Sequence, residues 1–173
     1  MISAFRGTAA HSTLTIADMN SSQISEVGGF GPRVAEQVDT LRCEVDKNTL
    51  VEAAHNGYLA SFDLIHKRAL FLSADGNELR GEDTLIGKTV TNASISFHLH
   101  PNVQASLVEA RNSVLLKFGK SAGWRFRASN TNITLEPNLY FDHGVRRQAQ
   151  QIALATNHNG PETVIKWRFT QED

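Results

Sequence analysis

The fold is decided by residues 62–85, FDLIHKRALFLSADGNELRGEDTL. The Asp75-Gly76 pair separates two apolar runs, which predicts a β-hairpin because glycine adopts positive φ without steric cost. Both faces of the first run carry apolar side chains, so this run is predicted to be a central strand of its sheet. On the return strand, Arg80, Glu82 and Asp83 are expected to form a charged side.

Two polar residues of the first run are also expected to have structural roles. His66 and Arg68 share a strand face with Leu70, so we expect them to be partly buried. A hydrogen-bonded structural role is favoured over catalysis, because buried polar groups are nearly always paired. Glu82 and Asp83 are neighbours in a strand and point to opposite faces, which does not suit joint acid–base catalysis.

The alternation of apolar and polar residues continues on both sides of this hairpin, whose first strand is expected to begin at Tyr58. Further strands are predicted at residues 8–17, 38–45, 49–55, 92–100, 103–108, 113–118, 124–127, 131–135, 145–156 and 162–170, with another near Tyr140. The composition of residues 145–156 also suits a helix, but their alternation and setting favour a strand.

So many short strands predict an all-β fold, a large antiparallel two-sheet β-sandwich. A single domain over residues 1–173 is the simplest organisation, with residues 1–8 and 171–173 expected to be loose.

Composition excludes several classes of function. The chain has 17 Lys and Arg against 18 Asp and Glu, so its near-neutral charge argues against nucleic acid as a partner. No apolar run approaches the roughly 20 residues of a membrane helix, so no membrane partner is expected. The first residues lack the apolar core of a secretion signal, which predicts a cytoplasmic location, or a periplasmic one if the natural chain is longer. Cys43, the single cysteine, is interpreted as a buried thiol.

His98 and His100 are candidate metal ligands. Two residues apart on a strand, they share a face at about 7 Å, close enough to bind one ion. Zinc would need a third ligand from a neighbouring strand. The alternative is a pair of solvated histidines on the polar face of a sandwich.

A basic stripe is predicted at Arg125 and Arg127, with Lys117 across the hairpin. It could bind the carboxylates or sulfates of an acidic sugar, because a guanidinium matches such groups with two hydrogen bonds. The alternative is an ordinary solvated sheet face, whose charges are balanced by Asp and Glu on the adjacent strand.

Several short motifs together resemble a known family. They are TAAHSTL at 8–14, HNGY at 55–58, HKR at 66–68, SADGNELRGED at 73–83, FHLHP at 97–101, GWRFRAS at 123–129, QQIAL at 150–154 and IKW at 165–167. In order and spacing they resemble the C-terminal region of heparinase II/III-like proteins.

This resemblance implies a polysaccharide lyase architecture, in which an α-helical toroid precedes a C-terminal β-sandwich. Such lyases cleave uronate-containing polysaccharides by β-elimination, with a Tyr, a His, and an Asn or similar group that neutralises the substrate carboxylate. The toroid supplies most catalytic groups, so the resemblance implies a domain that is inactive alone and assigns no catalytic residue to this chain. Its expected partners are an acidic polysaccharide or a separately encoded α-toroid. The alternative is a non-catalytic accessory domain, either glycan-binding or structural.

The resemblance also bears on metal binding. His11 in TAAHSTL matches a histidine that helps to bind a structural metal in some members, while Ser12 stands where they have Asn. Its two partner ligands would lie before residue 1. A divalent metal is therefore expected only if upstream ligands are supplied, and no other cofactor is expected.

Overall fold

The structure is a computed structural model that describes residues 5–25, 29–108, 113–129 and 131–172. The strands are β1 (Leu14–Ile16), β2 (Val38–Val45), β3 (Asn48–His55), β4 (Leu64–Leu72), β5 (Glu78–Gly87), β6 (Thr91–His98), β7 (Val103–Val108), β8 (Ser113–Phe118), β9 (Trp124–Ala128), β10 (Asn132–Asp142), β11 (Val145–His158) and β12 (Glu162–Gln171). A short helix, α1 (Leu59–Phe62), precedes β4.

These strands form two antiparallel sheets. The small sheet has four strands in the order β1-β6-β11-β10, and the large sheet has eight in the order β2-β3-β4-β5-β12-β9-β8-β7. This confirms the predicted all-β sandwich. The last strand, β12, lies between β5 and β9, so it joins the hairpin of residues 62–85 to the second half of the large sheet.

The predicted hairpin forms from β4 and β5, which pair from Leu64 opposite Gly87 to Leu72 opposite Leu79. Gly76 in the turn has a φ of 74°, as the Asp-Gly signal requires. Strand β4 lies between β3 and β5, so its predicted central position is confirmed.

The core lies between the sheets and is centred on aromatic rings. Phe97 of the small sheet contacts Phe126, Trp167 and Phe169 of the large sheet, with centroid distances of 5.0, 4.7 and 5.6 Å. Aliphatic side chains complete it, among them Leu14, Leu64, Leu85, Ile95, Ile152 and Leu154. Because the inward residues alternate along each strand, the opposite face of the large sheet is left for charged side chains.

Some predicted strand limits were wrong. The strand predicted to begin at Tyr58 begins at Leu64, because α1 and a left-handed Asp63 intervene. Of residues 8–17 only Leu14–Ile16 form a strand, since Thr8–Ala10 form a 3₁₀ turn. Residues 131–135 and the region of Tyr140 form one strand, β10. The strand predicted at 145–156 is confirmed as β11.

Two predicted burial states were also wrong. Asp83 was placed on a charged side, but its side chain points into the core and has no exposed surface. Cys43 was interpreted as buried, but it lies half-buried on β2, an edge strand that is exposed along most of its length.

The predicted loose ends are only partly visible, since residues 1–4 and 173 lie outside the described residues. Gln171 ends β12, and the Glu172 N–H donates to the Gly123 carbonyl at 2.7 Å. Within the described residues, no helix has the length or the apolar character needed to span a membrane.

Candidate functional site

Three arginines stand side by side on the outer face of the large sheet. Arg80 of β5 is directly opposite Arg168 of β12, and Arg168 is directly opposite Arg127 of β9. Directly opposite residues of an antiparallel pair point to the same face, and neighbouring strands are about 4.8 Å apart. We call Arg80, Arg168 and Arg127 the arginine row.

Like charges directly opposite each other destabilise a sheet, so the row needs negative charge nearby. Glu78 supplies part of it, because its Oε2 accepts from the Arg80 Nη2 at 2.6 Å. That hydrogen bond is the main cause of the lowered pKa of Glu78, and the charge of Arg168 lowers it further. Within the described residues, Arg168 itself makes no ion pair with a carboxylate.

The residues of the predicted basic stripe lie on this same face. Arg125 is bound by Glu172 through two hydrogen bonds, from Nε to Oε1 at 2.5 Å and from Nη2 to Oε2 at 2.8 Å. These bonds hold the pKa of Glu172 below its ordinary value. Lys117 is exposed and lies two residues along β8 from Leu115, the residue opposite Arg125. The structure therefore places the three residues on one face, but it puts Arg127 in line with Arg168 and Arg80.

Apolar residues continue the same line on the other side of Arg80. Phe71 of β4 is directly opposite Arg80, and Leu50 of β3 is directly opposite Phe71. The Arg80 guanidinium lies 5.2 Å from the Phe71 ring centroid, which is a cation–π contact. The line therefore has a cationic part, formed by Arg127, Arg168 and Arg80, and an apolar part, formed by Phe71 and Leu50. It crosses a shallow depression of about 710 Å³ lined by residues of β4, β5, β9 and β12.

A hydrogen-bonded cluster lies directly beneath, on the inner face of the sheet. Asp83 accepts from His66 Nε2 at 2.7 Å, from Arg68 Nε at 2.8 Å and from Trp167 Nε1 at 2.8 Å. A second bond from Arg68, its Nη2, reaches Asp83 Oδ2 at 3.0 Å. His55 extends the cluster, since its Nε2 lies 3.2 Å from His66 Nδ1. We call His55, His66, Arg68, Asp83 and Trp167 the histidine–aspartate cluster.

The hydrogen bonds assign the tautomers of both histidines. The Gly57 N–H donates to His55 Nδ1 at 3.2 Å, so a neutral His55 carries its proton on Nε2. That proton is donated to His66 Nδ1, and His66 therefore donates from Nε2 to Asp83. Every nitrogen of the two rings is occupied, so neither histidine is available as a base toward a ligand. The cluster is structural, as expected for His66 and Arg68.

The electrostatics of the cluster follow from its burial. Burial, and next the neighbouring His66, lower the pKa of His55 to about 4. Burial alone would raise the pKa of Asp83, but the hydrogen bonds from His66 and Arg68 outweigh it and hold that pKa below its ordinary value. Arg68 also donates to the Ser12 carbonyl at 2.5 Å, which ties the large sheet to the residues before β1.

His98 and His100 both line a depression on the outer face of the small sheet, together with Asn138 and Tyr140. His98 is occupied at both ring nitrogens, because Asn138 donates to Nδ1 and Nε2 donates to the Ala9 carbonyl at 3.1 Å. His100 accepts from the Asn102 N–H at Nδ1, at 3.2 Å, and its ring contacts Tyr140 edge-on at 5.0 Å. A metal at His98 would have to displace one of its hydrogen bonds.

His11 is exposed and lines a different depression, beside His55, Thr8 and Ser21. Among the residues that the structure describes, no three His, Cys, Asp or Glu side chains are arranged to hold a metal ion. Of the ligands that the family resemblance implies, His11 supplies one, so metal binding stays a prediction and no chemical step is assigned to a metal.

Sequence reasoning missed Arg168, Arg80 and the burial of Asp83. The alternation on each strand did indicate that Arg168 and Arg80 point outward. Their alignment with Arg127 depends on β12 pairing with both β5 and β9, which no local pattern encodes. A possible signal for Asp83 was its position in the same alternating register as Leu79, Gly81 and Leu85.

A family model described as "Heparinase II/III-like, C-terminal" matches residues 3–168. The chain belongs to this family.

The chain is similar to one curated protein and to several solved structures. FtsZ-localized protein C from Caulobacter vibrioides (strain NA1000 / CB15N) is 31% identical, over 98% of this chain and 32% of that protein. Heparan sulfate lyase HepC from Pedobacter heparinus superposes with a TM-score of 0.80 at 14% identity, over 99% of this chain and 25% of HepC.

A solved structure of heparinase III gives a TM-score of 0.70 at 21% identity, over 96% of this chain and 24% of that one. At these identities, the likeness to the lyases concerns the fold. The chain spans about a third of FtsZ-localized protein C and about a quarter of each lyase.

Proposed function

We propose that this chain is the C-terminal β-sandwich domain of a heparinase II/III-like polysaccharide lyase, which acts on uronate-containing polysaccharides by β-elimination. In that setting the sandwich binds the acidic polysaccharide, and these 173 residues alone do not cleave it. The observation that carries the proposal is the arginine row, three guanidinium groups in line on an exposed sheet face. Guanidinium groups bind carboxylates and sulfates with paired, charge-assisted hydrogen bonds.

The state of the tyrosines and histidines supports the proposed absence of cleavage. β-Elimination needs a base that can reach the proton beside the uronate carboxyl group. Tyr58 is fully buried, and its hydroxyl donates to the Leu14 carbonyl at 3.2 Å. Burial raises its pKa to about 12. His66 is enclosed as well, with both nitrogens occupied.

The depression around Tyr140 is the strongest alternative candidate for an active site, because it holds a Tyr, two His and an Asn. His100 accepts a hydrogen bond at Nδ1, so the neutral ring carries its proton on Nε2 and cannot abstract another one there. His98 is occupied at both nitrogens. The groups that this depression offers are therefore donors or already paired.

The test has two parts. The purified chain is incubated with heparan sulfate and with polyuronates, and the ultraviolet absorbance of unsaturated uronate is followed. We expect no rise above buffer, together with retention of the chain on an immobilised acidic polysaccharide. A rise in absorbance that disappears in Tyr140→Phe would identify the depression around Tyr140 as an active site and overturn the non-catalytic assignment. A chain that is not retained would overturn glycan binding.

A second candidate rests on the identity to FtsZ-localized protein C, which at 31% exceeds the 14% and 21% to the lyases. In this case the sandwich is a structural accessory domain of a protein that localises with FtsZ, and it binds no glycan. Co-sedimentation with polymerised FtsZ from the same genome tests it. The candidate requires the chain in the pellet only when FtsZ is assembled, and a chain that stays in the supernatant removes it.

A further inference from the structure

We propose that an acidic polysaccharide crosses the strands of the large sheet along the arginine row, with Arg168 as its central contact. This inference rests on the proposed function and names the residues and the direction of binding. It differs from the stripe suggested by the sequence, in which Arg125 and Arg127 follow one strand and Lys117 lies on the next.

The direction follows from the carboxylates that border the row. On one side, Glu82 of β5 is opposite Lys166 of β12, and the two are 3.3 Å apart. On the other side lies Glu78, which is bound to Arg80. An acidic chain that followed β5 would meet Glu78 and Glu82. One that followed β12 would meet Lys166, which is already paired with Glu82, and the uncharged Thr170. Across the strands, the three successive positions of the row, Arg80, Arg168 and Arg127, are all arginine.

The spacing also suits a polysaccharide. Adjacent strands are about 4.8 Å apart, so the row presents one guanidinium per strand at that interval. A sugar unit advances a linear chain by a similar length, so acidic groups on successive or alternate sugars reach successive or alternate arginines. Beyond Arg80, the line continues with Phe71 and Leu50, which offer an apolar surface to the C–H face of a sugar ring.

Each arginine has a different capacity to bind. Arg125 is held by both carboxylate oxygens of Glu172, so it offers little to a ligand. Arg80 is held by Glu78 on one side and lies over Phe71. Arg168 is exposed and has no ion pair within the described residues, so its guanidinium can be fully used by the ligand.

The experiment measures the affinity of oligogalacturonates, from dimer to hexamer, by titration calorimetry at low salt. We expect Arg168→Gln to weaken binding about tenfold, the loss of one charge-assisted contact, and Arg168→Lys to fall between Gln and the natural residue because it keeps only the charge. Arg146→Gln is the matched control, since it removes the same side chain from an exposed position on β11 in the small sheet. We expect it to stay within about twofold of the unchanged chain.

Three results would overturn the inference. The first is equal weakening by Arg146→Gln and Arg168→Gln, which would indicate general charge attraction. The second is unchanged affinity in Arg168→Gln, which would remove the row but leave glycan binding, and so the proposed function, intact. The third is equal competition by single-stranded DNA of matched charge.

Sulfated dextran in parallel separates recognition of sulfates from recognition of carboxylates. Binding of either glycan that depends on Arg168 supports the inference. If the unchanged chain binds neither, both the proposed function and the inference fail. Circular dichroism spectra of each variant establish that it is folded, which is expected because Arg168 and Arg146 are both exposed.

Discussion

Asp83 lies at the centre of the histidine–aspartate cluster. It is fully buried, and His66, Arg68 and Trp167 all donate to it. A buried carboxylate is stable only when its charge and its lone pairs are satisfied, and here both conditions hold. Because Arg68 also reaches the Ser12 carbonyl, the same contacts hold the start of the small sheet against the large one.

We expect Asp83→Asn to lower the free energy of unfolding by about 3 kcal/mol or more, because it leaves the half-buried charge of Arg68 without its partner. Glu82→Gln is the control. It removes the adjacent carboxylate, which faces outward and pairs with an exposed Lys166, and should cost less than about 1 kcal/mol. Urea denaturation measures both. Equal costs for the two variants would show that the cluster contributes no special stability.

For single residues, the sequence predicted which way most side chains point, but not which charged groups are buried. Arg125 and Arg127 were expected to share one face of the sheet, and they do. Asp83 was expected on a charged side, yet it is in the core. The alternation of β5 placed Asp83 on the inward face. Its partners, His66 and Arg68 from β4 and Trp167, which is 84 positions away, could not be identified from a local pattern.

Where β5 pairs with β12, the packing of Trp167 requires a residue without a side chain. Gly81 is opposite Trp167, and a Cβ built on Gly81 would lie 2.0 Å from Trp167 Cζ2. The indole cannot move aside easily, because it is buried and donates to Asp83. Gly81 therefore allows the indole to lie against the sheet and places Arg80 on the opposite face.

We expect Gly81→Ala to destabilise the protein by about 1–3 kcal/mol, the usual cost of overpacking a core. Gly160→Ala is the control, since a Cβ there meets no atom within 4 Å. It should change stability by less than about 1 kcal/mol, and can even raise it by restricting the unfolded chain. Thermal unfolding compares the two variants. A Gly81→Ala protein as stable as Gly160→Ala would contradict the packing described for Trp167.

At the scale of elements, the sequence predicted the hairpin of β4 and β5 because its turn chemistry is local. The alternation of apolar and polar residues also predicted β11 correctly, although the composition of that segment suits a helix. What it could not provide was the order of strands in the large sheet. The arginine row exists only because β12 inserts between β5 and β9, and that pairing connects segments far apart in the chain.

The whole molecule should become less stable in acid, for reasons that the cluster explains. His55 has a pKa of about 4 in the folded protein and an ordinary value of 6.5, so the unfolded chain binds a proton between these pH values that the folded protein does not. The free energy of unfolding therefore falls as the pH drops from 6.5 to 4. Asp83, whose folded pKa is below its ordinary 3.8, adds a further loss below that value.

The His55 contribution should be about 1–2 kcal/mol, less than its full shift implies because the ring is partly exposed. Denaturation at pH 7, 5.5 and 4 measures it, with His55→Gln and the exposed His143→Gln compared at each pH. The acid-induced loss between pH 6.5 and 4 should shrink in His55→Gln and persist in His143→Gln. An equal loss in both variants would place the titrating group elsewhere.

We propose that the outer face of the large sheet is the surface that meets an acidic polysaccharide. The most direct measurement is a titration of isotope-labelled protein with a uronate hexamer, followed by amide chemical shifts. We predict shifts concentrated on β5, β12 and β9 around Arg80, Arg168 and Arg127. Shifts concentrated around His100 and Tyr140 on the small sheet, or no shifts at any residue, would contradict it.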